Sequence, residues 1–357
     1  MHQDAGISDS VLNWFNSYLV NRTQSVLVGS SYSSDQTLLY GVPQGSVLGP
    51  LLFSFYTSDL GQIIEKFSIG RQFFADDSQL IKSFPPNPEI VKTVVNNIEL
   101  CCDSVKAWMT KNRLKLNDDK TEVILIGPKE KRKSIELKSI RIDDSNIEIV
   151  ESVRNLGLYL DADLSMSSHV SHVVKCCYFH IRRLGKIRNL LTKEVANAIA
   201  VSTVTSRLDY CNSTLQGISS EELDRLQKTQ NSAARIVAKS KLRDHITPVL
   251  IKLHWLPIRL RIQYKILCFT YLCLNSLAPA YLSELIPEYK PTKSLRSEDQ
   301  FRICLPSVDN TNKIRLGGRS FQNSAPQLWN SLPLSLKKAD NIAVFRRKLK
   351  TYLFSQI

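Results

Sequence analysis

Two adjacent carboxylates interrupt a largely apolar stretch near residue 76. The run Phe67–Phe74 ends at Asp76 and Asp77, and the apolar pair Leu80–Ile81 follows at once. This pattern predicts two short strands joined by a tight turn, because Asp is favoured in turns, where its side chain bonds the backbone. Neighbouring carboxylates repel each other, and a hard cation such as Mg²⁺, which prefers oxygen ligands, would relieve that repulsion. A solvated turn that happens to hold two Asp is the alternative.

Two further segments could take part in chemistry. The turn Gly41–Gly45 contains two glycines, which let a backbone approach a ligand closely because they carry no Cβ. An apolar helix through Tyr56 is predicted to open at Ser46–Pro50, since Pro is well tolerated in a first helical turn. Downstream, Lys120 lies in the predicted loop Leu114–Thr121.

The composition predicts a folded chain with a polyanionic partner. The 357 residues are 43% hydrophobic and 22% charged, which is typical of globular domains. The formal net charge of +14 favours nucleic acid as the partner, although a basic ribosome-like or membrane-surface protein would share this balance. No apolar run reaches the ~20 residues of a membrane span, so no membrane partner is expected. The eight Cys include no Cys-x-x-Cys spacing, and we expect reduced thiols in an intracellular protein.

The elements that must position these residues divide the chain into two regions. An α+β region of about 1–160 is predicted to precede an all-helical region from about 165. Within the first region, Asn87 caps a long helix that ends near residue 111, and Lys129–Lys133 is expected at a hairpin tip. The predicted strands near its end are 123–126, 147–150 and 156–160. In the second region, further helices are predicted at 193–214, 221–238, 258–275 and 341–354, with a loop or linker over 288–318.

One helix of the second region carries a basic end. Its apolar stripe runs from Val170 to Leu191, and the cations of its polar side are Arg182, Arg183, Lys186 and Arg188. Phosphate contacts from such side chains supply affinity without reading sequence. A solvated helix face is the alternative interpretation. For Trp255 and Trp329, which lie among apolar residues, core packing is favoured over base stacking.

Four segments together resemble a known family. They are Gly41–Phe53, Phe74–Asp77, Asn117–Glu122 and Leu156–Asp161. In order and spacing they resemble palm motifs B, C, D and E of the reverse transcriptases of jockey-type non-LTR retrotransposons. Each motif alone is weak to moderate, whereas four in family order are strong. Downstream segments, among them Ser206–Asn212, Leu253–Pro257 and Phe345–Leu353, are similar to the C-terminal part of such elements, so the resemblance covers essentially the whole chain.

The resemblance implies an RNA-directed DNA polymerase that performs template-directed nucleotidyl transfer with two metal ions. The implied fold is α+β, with an incomplete palm of antiparallel sheet and helices, an all-helical thumb and a C-terminal helical region. Residues 1–162 would form the palm, 163–218 the thumb and 219–357 the C-terminal domain. The implied partners are an RNA template with a DNA primer and deoxynucleoside triphosphates. The implied cofactor is Mg²⁺, with Mn²⁺ as the alternative, and the implied location is the nucleus.

The resemblance also assigns roles to single residues. Asp76 and Asp77 would be catalytic and bind metal, and Lys120 would act as a general acid or a countercharge, with plain surface as its alternative. The nucleotide and template would meet Phe74, Pro43, Gln44 and Gly45. Primer and duplex would meet Gly157, Arg182, Arg183, Lys186 and Arg188. For the strand that carries Gly157, an ordinary sheet strand is the equal alternative.

One part of the family pattern has no counterpart in this sequence. In the family, a strand with the first metal-binding carboxylate precedes the stretch that corresponds here to Gly6–Phe15. Asp4 and Asp9 lie outside an apolar strand and are poor substitutes. We therefore expect an N-terminally truncated polymerase, without fingers, that is inactive alone. The alternative is a non-catalytic nucleic-acid-binding remnant of a mobile element.

Overall fold

The computed structural model describes residues 6–43, 45–142, 145–287, 301–305 and 317–357. The chain divides into two compact units, Met1–Val150 and Glu151–Ile357. This division falls before the predicted palm boundary at residue 162, so the hairpin predicted to end the palm lies in the second unit. Most of the predicted linker at 288–318 lies outside the described residues.

The first unit combines helices with two-stranded antiparallel sheets. Its helices are α1 (Asp9–Leu19), α2 (Gly49–Tyr56), α3 (Leu60–Glu65), α4 (Pro88–Lys111) and α5 (Lys129–Lys133). Its strands are β1 (Arg22–Gln24), β2 (Leu27–Val28), β3 (Ser31–Tyr32), β4 (Gln36–Leu38), β5 (Gly70–Phe74), β6 (Asp77–Ile81), β7 (Ser139–Ile142) and β8 (Ser145–Glu148). The pairs are β1–β4, β2–β3, β5–β6 and β7–β8. The expected α+β class is confirmed, whereas the described strands pair only in twos and do not join into one sheet.

Helix α4 shows why this region folds as its sequence predicts. Asn87 has an extended backbone, and its side chain accepts hydrogen bonds from the backbone N–H groups of Glu89 and Ile90. Pro88 follows at the first helical position, where its missing N–H is not needed. Val91, Cys101 and the other apolar positions of the stripe turn inward, so the helix forms a wall of the core.

Two predictions at the end of the first unit are wrong. The expected strand at 123–126 is reduced to an isolated parallel bridge between Val123 and Ile149. The expected hairpin tip at Lys129–Lys133 is helix α5, which begins after Pro128. Lys, Arg and Glu are all good helix formers, and that local preference outweighs the turn that charge alone suggested.

The second unit is one hairpin followed by helices. The hairpin pairs β9 (Ser152–Asn155) with β10 (Leu158–Asp161). The helices are α6 (Ser167–Ile187), α7 (Lys193–Ala200), α8 (Ser206–Asp209), α9 (Ser220–Ala238), α10 (Ile246–Lys252), α11 (Ile258–Leu274), α12 (Ala280–Ser283), α13 (Phe321–Asn330), α14 (Leu334–Lys337) and α15 (Ile342–Phe354). The helix predicted at 193–214 is interrupted by a π-helical turn at Val201–Thr205. None of the described helices has both the length and the apolarity needed to cross a membrane.

The core of the second unit is built around α11. Tyr271 is buried on this helix, stacks on Phe345 of α15 with ring centroids 4.5 Å apart, and donates to the carbonyl of Ala339. Trp329 also packs against Phe345, with ring centroids 5.8 Å apart. Trp255 and Trp329 are both buried, which confirms core packing for these two residues.

Candidate functional site

The acidic pair lies at the exposed end of the β5–β6 hairpin. Phe74 pairs with Asp77, so Ala75 and Asp76 form a two-residue connection between the strands. The predicted turn is confirmed, although Asp77 is already the first residue of β6. Both carboxylates are exposed, and the Phe74 ring is 61% exposed. Ala75 has φ +53°, a left-handed conformation that is strained for a residue with a Cβ.

The hairpin is held by apolar contacts on its inner face. Phe73 and Leu80, half-buried, pack against a core that includes Ile64 of α3 and Cys101 and Val105 of α4. Because side chains alternate along a strand, burying Phe73 leaves its neighbour Phe74 in solvent. The core therefore fixes which side chains the hairpin presents outward.

An ion pair also ties the hairpin to α3. Arg71 of β5 lies 2.6 Å from the carboxylate of Glu65. Its guanidinium passes over Gly61, where an added Cβ would lie 2.7 Å from Arg71 Nε. Glycine at position 61 allows this close approach without displacing the Arg71 side chain. The base of the hairpin is thus held on both a polar and an apolar side.

The donors at the hairpin end suit Mg²⁺ in kind. Mg²⁺ is bound in proteins by one or two carboxylates together with waters and substrate phosphates. Asp76 and Asp77 offer two exposed carboxylates on consecutive residues. Within the described ranges no group of three or more His, Cys, Asp or Glu side chains is placed to hold a metal ion. The pair can therefore supply part of a metal site, and a third protein carboxylate does not join it among those residues.

The glycine-containing turn is described except for Gln44, which lies outside the described residues. Gly45 has φ +78°, and an added Cβ there would meet nothing within 4 Å. The glycine is thus required by its backbone conformation rather than by crowding. The Ser46 hydroxyl accepts from the backbone N–H of Gly49 at 3.0 Å, and Pro43 O accepts from Ser46 N, which leads the chain into α2.

In the described part of the chain, Lys120 forms no hydrogen bond with Asp76 or Asp77. It ends the short 3₁₀ helix Asp118–Lys120, its backbone N–H donates to Asn117 O at 3.1 Å, and its side chain is exposed. Within the described part of the chain, Lys120 forms no ion pair with Asp76 or Asp77. The catalytic role of Lys120 stays a prediction.

Gly157 has a local structural explanation. It follows Leu156 in the turn between β9 and β10, with φ +82° and +46° respectively. The hydroxyl of Tyr210 donates to Leu156 O, and a Cβ on Gly157 would lie 3.4 Å from the Tyr210 ring. The turn conformation and this close contact both favour glycine, and the primer-gripping role stays a prediction.

The basic end of α6 separates into exposed and buried cations. Arg182, Arg183 and Lys186 are exposed. Arg188 is buried, and its guanidinium donates to the carbonyls of Ile236, Val237 and Leu191 at 2.7–3.2 Å. The expectation that Arg188 contacts a duplex is therefore wrong, because its donors satisfy the carbonyls at the C-terminal end of α9.

Sequence reasoning missed three neighbours of the exposed cations. Phe179, 52% exposed, lies under the Arg183 guanidinium at 5.4 Å from the ring centroid. Burial, then Arg207 and Arg183, lower the pKa of His180, so both arginines lie near this ring. The sequence could have placed Phe179 beside these cations, since Phe179, Arg183 and Lys186 follow the i, i+4, i+7 spacing of one helix face.

Comparison with known proteins supports the resemblance stated above. Residues 4–160 match the family described as reverse transcriptase (RNA-dependent DNA polymerase). In Drosophila melanogaster, the "Probable RNA-directed DNA polymerase from transposon BS" is 28% identical over 237 residues, which is 62% of this chain and 25% of that protein. The "RNA-directed DNA polymerase from mobile element jockey" is 23% identical over 47% of this chain and 18% of that protein.

A third relative is the "Probable RNA-directed DNA polymerase from transposon X-element", also from Drosophila melanogaster. It is 26% identical over 44% of this chain and 17% of that protein. The chain thus spans about a quarter or less of the length of these relatives. The matches confirm that the chain resembles a jockey-like reverse transcriptase of non-LTR retrotransposons.

Proposed function

We propose that this chain is part of an RNA-directed DNA polymerase of a non-LTR retrotransposon. Its substrates are an RNA template with a DNA primer and deoxynucleoside triphosphates, and it works in the nucleus. We assign residues 1–162 to the palm, 163–218 to the thumb and 219–357 to a C-terminal helical domain. The observation that carries the proposal is the pair Asp76–Asp77. Both residues are exposed at the end of a hairpin whose inner face packs against the core.

In this proposal the acidic hairpin holds the divalent ion. Bound there, Mg²⁺, or Mn²⁺ in its place, would supply activation of the primer 3′ oxygen and stabilisation of the leaving pyrophosphate. Asp76 and Asp77 hold it, and the exposed ring of Phe74 packs beside the primer end. The turn at Pro43, Gln44 and Gly45 approaches the incoming nucleotide and the templating base, and Lys120 serves as general acid or countercharge. Gly157 lies in the hairpin that grips the primer.

The exposed face of α6 holds the template–primer duplex. Arg182, Arg183 and Lys186 contact phosphates, which gives affinity without sequence reading. The Phe179–Arg183 stack holds that guanidinium in place, because a cation over an aromatic face is attracted to it. Arg207 extends the same positive surface.

We infer that the chain does not polymerise alone. Two-metal chemistry needs carboxylates on both sides of the ions. The described residues bring no third carboxylate to Asp76 and Asp77. Mg²⁺-dependent primer extension on an RNA template should therefore give no product with this chain. Extension that disappears in Asp76→Asn would contradict the inferred inactivity and would establish catalysis by this chain.

Duplex binding separates the proposal from an inert chain. The triple variant R182Q/R183Q/K186Q should weaken binding of an RNA–DNA duplex, and the slope of log affinity against log salt should fall by ~0.9 for each phosphate that the variant no longer neutralises. The variant K129Q/K131Q/K133Q in α5 removes the same charge from exposed side chains and serves as the matched control. An equal loss of affinity in the two variants would contradict a duplex contact by α6.

A non-catalytic nucleic-acid-binding role is the second candidate. The exposed cations of α6 favour it, since that face requires no metal and no third carboxylate. Duplex binding by a chain whose hairpin takes up no Mg²⁺ or Mn²⁺, even when the ion is supplied, would support this candidate over the polymerase.

A further inference from the structure

Three downstream sequence segments meet at one cavity of the second unit, and the polymerase proposal uses none of the residues that line it. The segments Ser206–Asn212, Leu253–Pro257 and Phe345–Leu353 all contribute to its lining. The lining residues are Asp209, Asn212, His254, Leu256, Arg261, Tyr264, Lys265 and Lys350, and the cavity measures about 160 Å³. Segments far apart in sequence therefore converge on a common space.

The charges in this cavity favour an anion. Arg261 is bound by Asp209, with Nε donating to Oδ1 at 2.7 Å and Nη2 donating to Oδ2. Lys265 and Lys350 remain, and neither forms an ion pair with an acidic residue in the part of the chain that the structure describes. Burial, followed by the nearby Arg261, lowers the pKa of Lys350, as expected for an ammonium without a counterion.

A buried amide adds a requirement for a hydrogen-bond donor. Asn212 is 2% exposed, and its Nδ2 donates to Asp209 Oδ1 at 3.3 Å. An ionised carboxylate only accepts hydrogen bonds, so Asp209 fixes the orientation of the amide and leaves Asn212 Oδ1 as an acceptor. That oxygen is buried and has no partner among the described residues. Leaving a buried acceptor unsatisfied is costly, and a ligand that supplies a donor here would remove that penalty.

We propose that this cavity binds a ribonucleotide, with its phosphate against Lys265 and Lys350 and its 2′-hydroxyl donating to Asn212 Oδ1. A phosphodiester group alone satisfies the two lysines but gives Asn212 no donor, because it carries no O–H group. A DNA strand has the same limitation along its length, because its sugars carry no 2′-hydroxyl and their 3′ oxygens are esterified. The shared chemistry is a phosphorylated ribose, supplied either by an RNA strand or by a free ribonucleotide. The site lies outside the polymerase assignment and does not depend on it.

The test of the phosphate contact uses the full chain and a labelled single-stranded RNA oligonucleotide. The double variant K265Q/K350Q should bind at least about fivefold more weakly than the parent, with the salt slope reduced by ~0.7 for each phosphate that the variant no longer neutralises. The matched control is the double variant K265Q/K348Q, which replaces a different lysine of α15. Lys348 is exposed and does not line the cavity. If K265Q/K350Q and K265Q/K348Q bind RNA equally, the Lys350 contact is excluded.

The test of the hydroxyl contact changes the ligand and leaves the protein intact. A 2′-O-methyl oligonucleotide of the same sequence keeps every phosphate and removes the donor, and it should bind about five- to tenfold more weakly than RNA, the size of one neutral hydrogen bond. Competition with adenosine 5′-monophosphate separates the two sources. Displacement at matched phosphate concentration identifies a free ribonucleotide, and no displacement identifies an RNA strand.

Equal affinity for RNA and 2′-O-methyl RNA, or an unchanged affinity in K265Q/K350Q, would overturn the proposal. Neither outcome bears on primer extension or on duplex binding by α6. The ribonucleotide site can therefore be contradicted without contradicting the polymerase assignment, and the reverse also holds.

Discussion

The two compact units bury their apolar side chains to very different extents. In the described residues of the first unit, the cluster beneath the acidic hairpin has five buried apolar side chains, and α1 buries none. In the second unit a single cluster has 36. The unit with the motifs expected to do chemistry is thus the loosely packed one, and the unit with the basic helix is the densely packed one.

The two units therefore differ in how firmly they hold their candidate functional residues. A two-stranded hairpin is marginal by itself and needs packing against other elements. In the first unit that support is a few residues of α3 and α4, so the acidic pair depends on a small number of contacts. The second unit has a continuous core, and its exposed cations therefore lie on a helix that resists local change. Paired variants in the two units test this contrast.

The largest effect should come from the core of the second unit. Phe345→Ala removes a fully buried ring that contacts the rings of Tyr271 and Trp329, and the free energy of unfolding should fall by about 3–5 kcal/mol. Chemical denaturation measures this value. Phe179→Ala, which removes an exposed ring of the same unit, should change stability by no more than about 0.5 kcal/mol. Similar destabilisation in the two variants would mean that this core is not the densely packed one.

The next effect concerns Arg188. Arg188→Ala leaves the carbonyls of Ile236, Val237 and Leu191 without their donor and should destabilise the protein by about 2–3 kcal/mol. Arg182→Ala, on the exposed face of the same helix, should leave stability within about 0.5 kcal/mol and weaken duplex binding instead. A reversed pattern, with Arg188 affecting only binding, would contradict the structural role.

A smaller effect is expected in the first unit. Phe73→Ala removes a half-buried ring that holds the hairpin and should destabilise it by about 1–2 kcal/mol. Phe74→Ala removes the exposed neighbour and should leave hairpin stability nearly unchanged. Amide hydrogen exchange of β5 and β6 reports the difference. Equal protection in both variants would show that the inner-face contacts do not support the hairpin.

The smallest effect is a pH dependence in the second unit. His169 is buried, its Nδ1 accepts from the backbone N–H of Tyr159 at 3.5 Å, and burial, then His172, lowers its pKa from 6.5. The folded state therefore holds the neutral ring. As the pH falls below about 6.5, the unfolded chain takes up a proton that the folded chain resists, and stability falls by up to about 1.4 kcal/mol per pH unit until the lowered pKa is reached.

Urea denaturation at pH 7.5 and pH 5.5 checks this dependence. His169→Asn keeps an acceptor but cannot titrate, so part of the pH dependence should disappear. His245→Asn, at an exposed histidine, should leave it unchanged. A wild-type pH dependence in the His169 variant would exclude this histidine as its source.

Local signals explain what the sequence could predict. Asn87 and Pro88 mark the start of α4 because a cap and a first-turn proline act within three residues. The turn at Asp76 follows in the same way from the change between apolar strands and acidic residues. The carboxylates of the candidate site could therefore be found from sequence together with their exposed, paired position on a hairpin.

Contacts distant in sequence explain what could not be predicted. In the sequence Arg188 is one more cation of a basic helix, and only the folded chain brings the carbonyls of Ile236 and Val237 to it. Among the residues that the structure describes, the strand expected at 123–126 has no ladder partner beyond Ile149, and strand formation depends on such a partner. The convergence of Asn212, Arg261 and Lys350 on one cavity likewise arises from packing and not from spacing.

The most direct test of the central claim is Mn²⁺ binding to the full chain, measured as paramagnetic broadening of backbone amide NMR signals. The account predicts broadening centred on Phe74–Ser78, reversed by excess Mg²⁺ and abolished in D76N/D77N. The control D59N, which changes a carboxylate elsewhere in the same unit, should keep it. Broadening spread evenly over exposed acids, or broadening at the hairpin that persists in D76N/D77N, would contradict a metal-binding role for the pair.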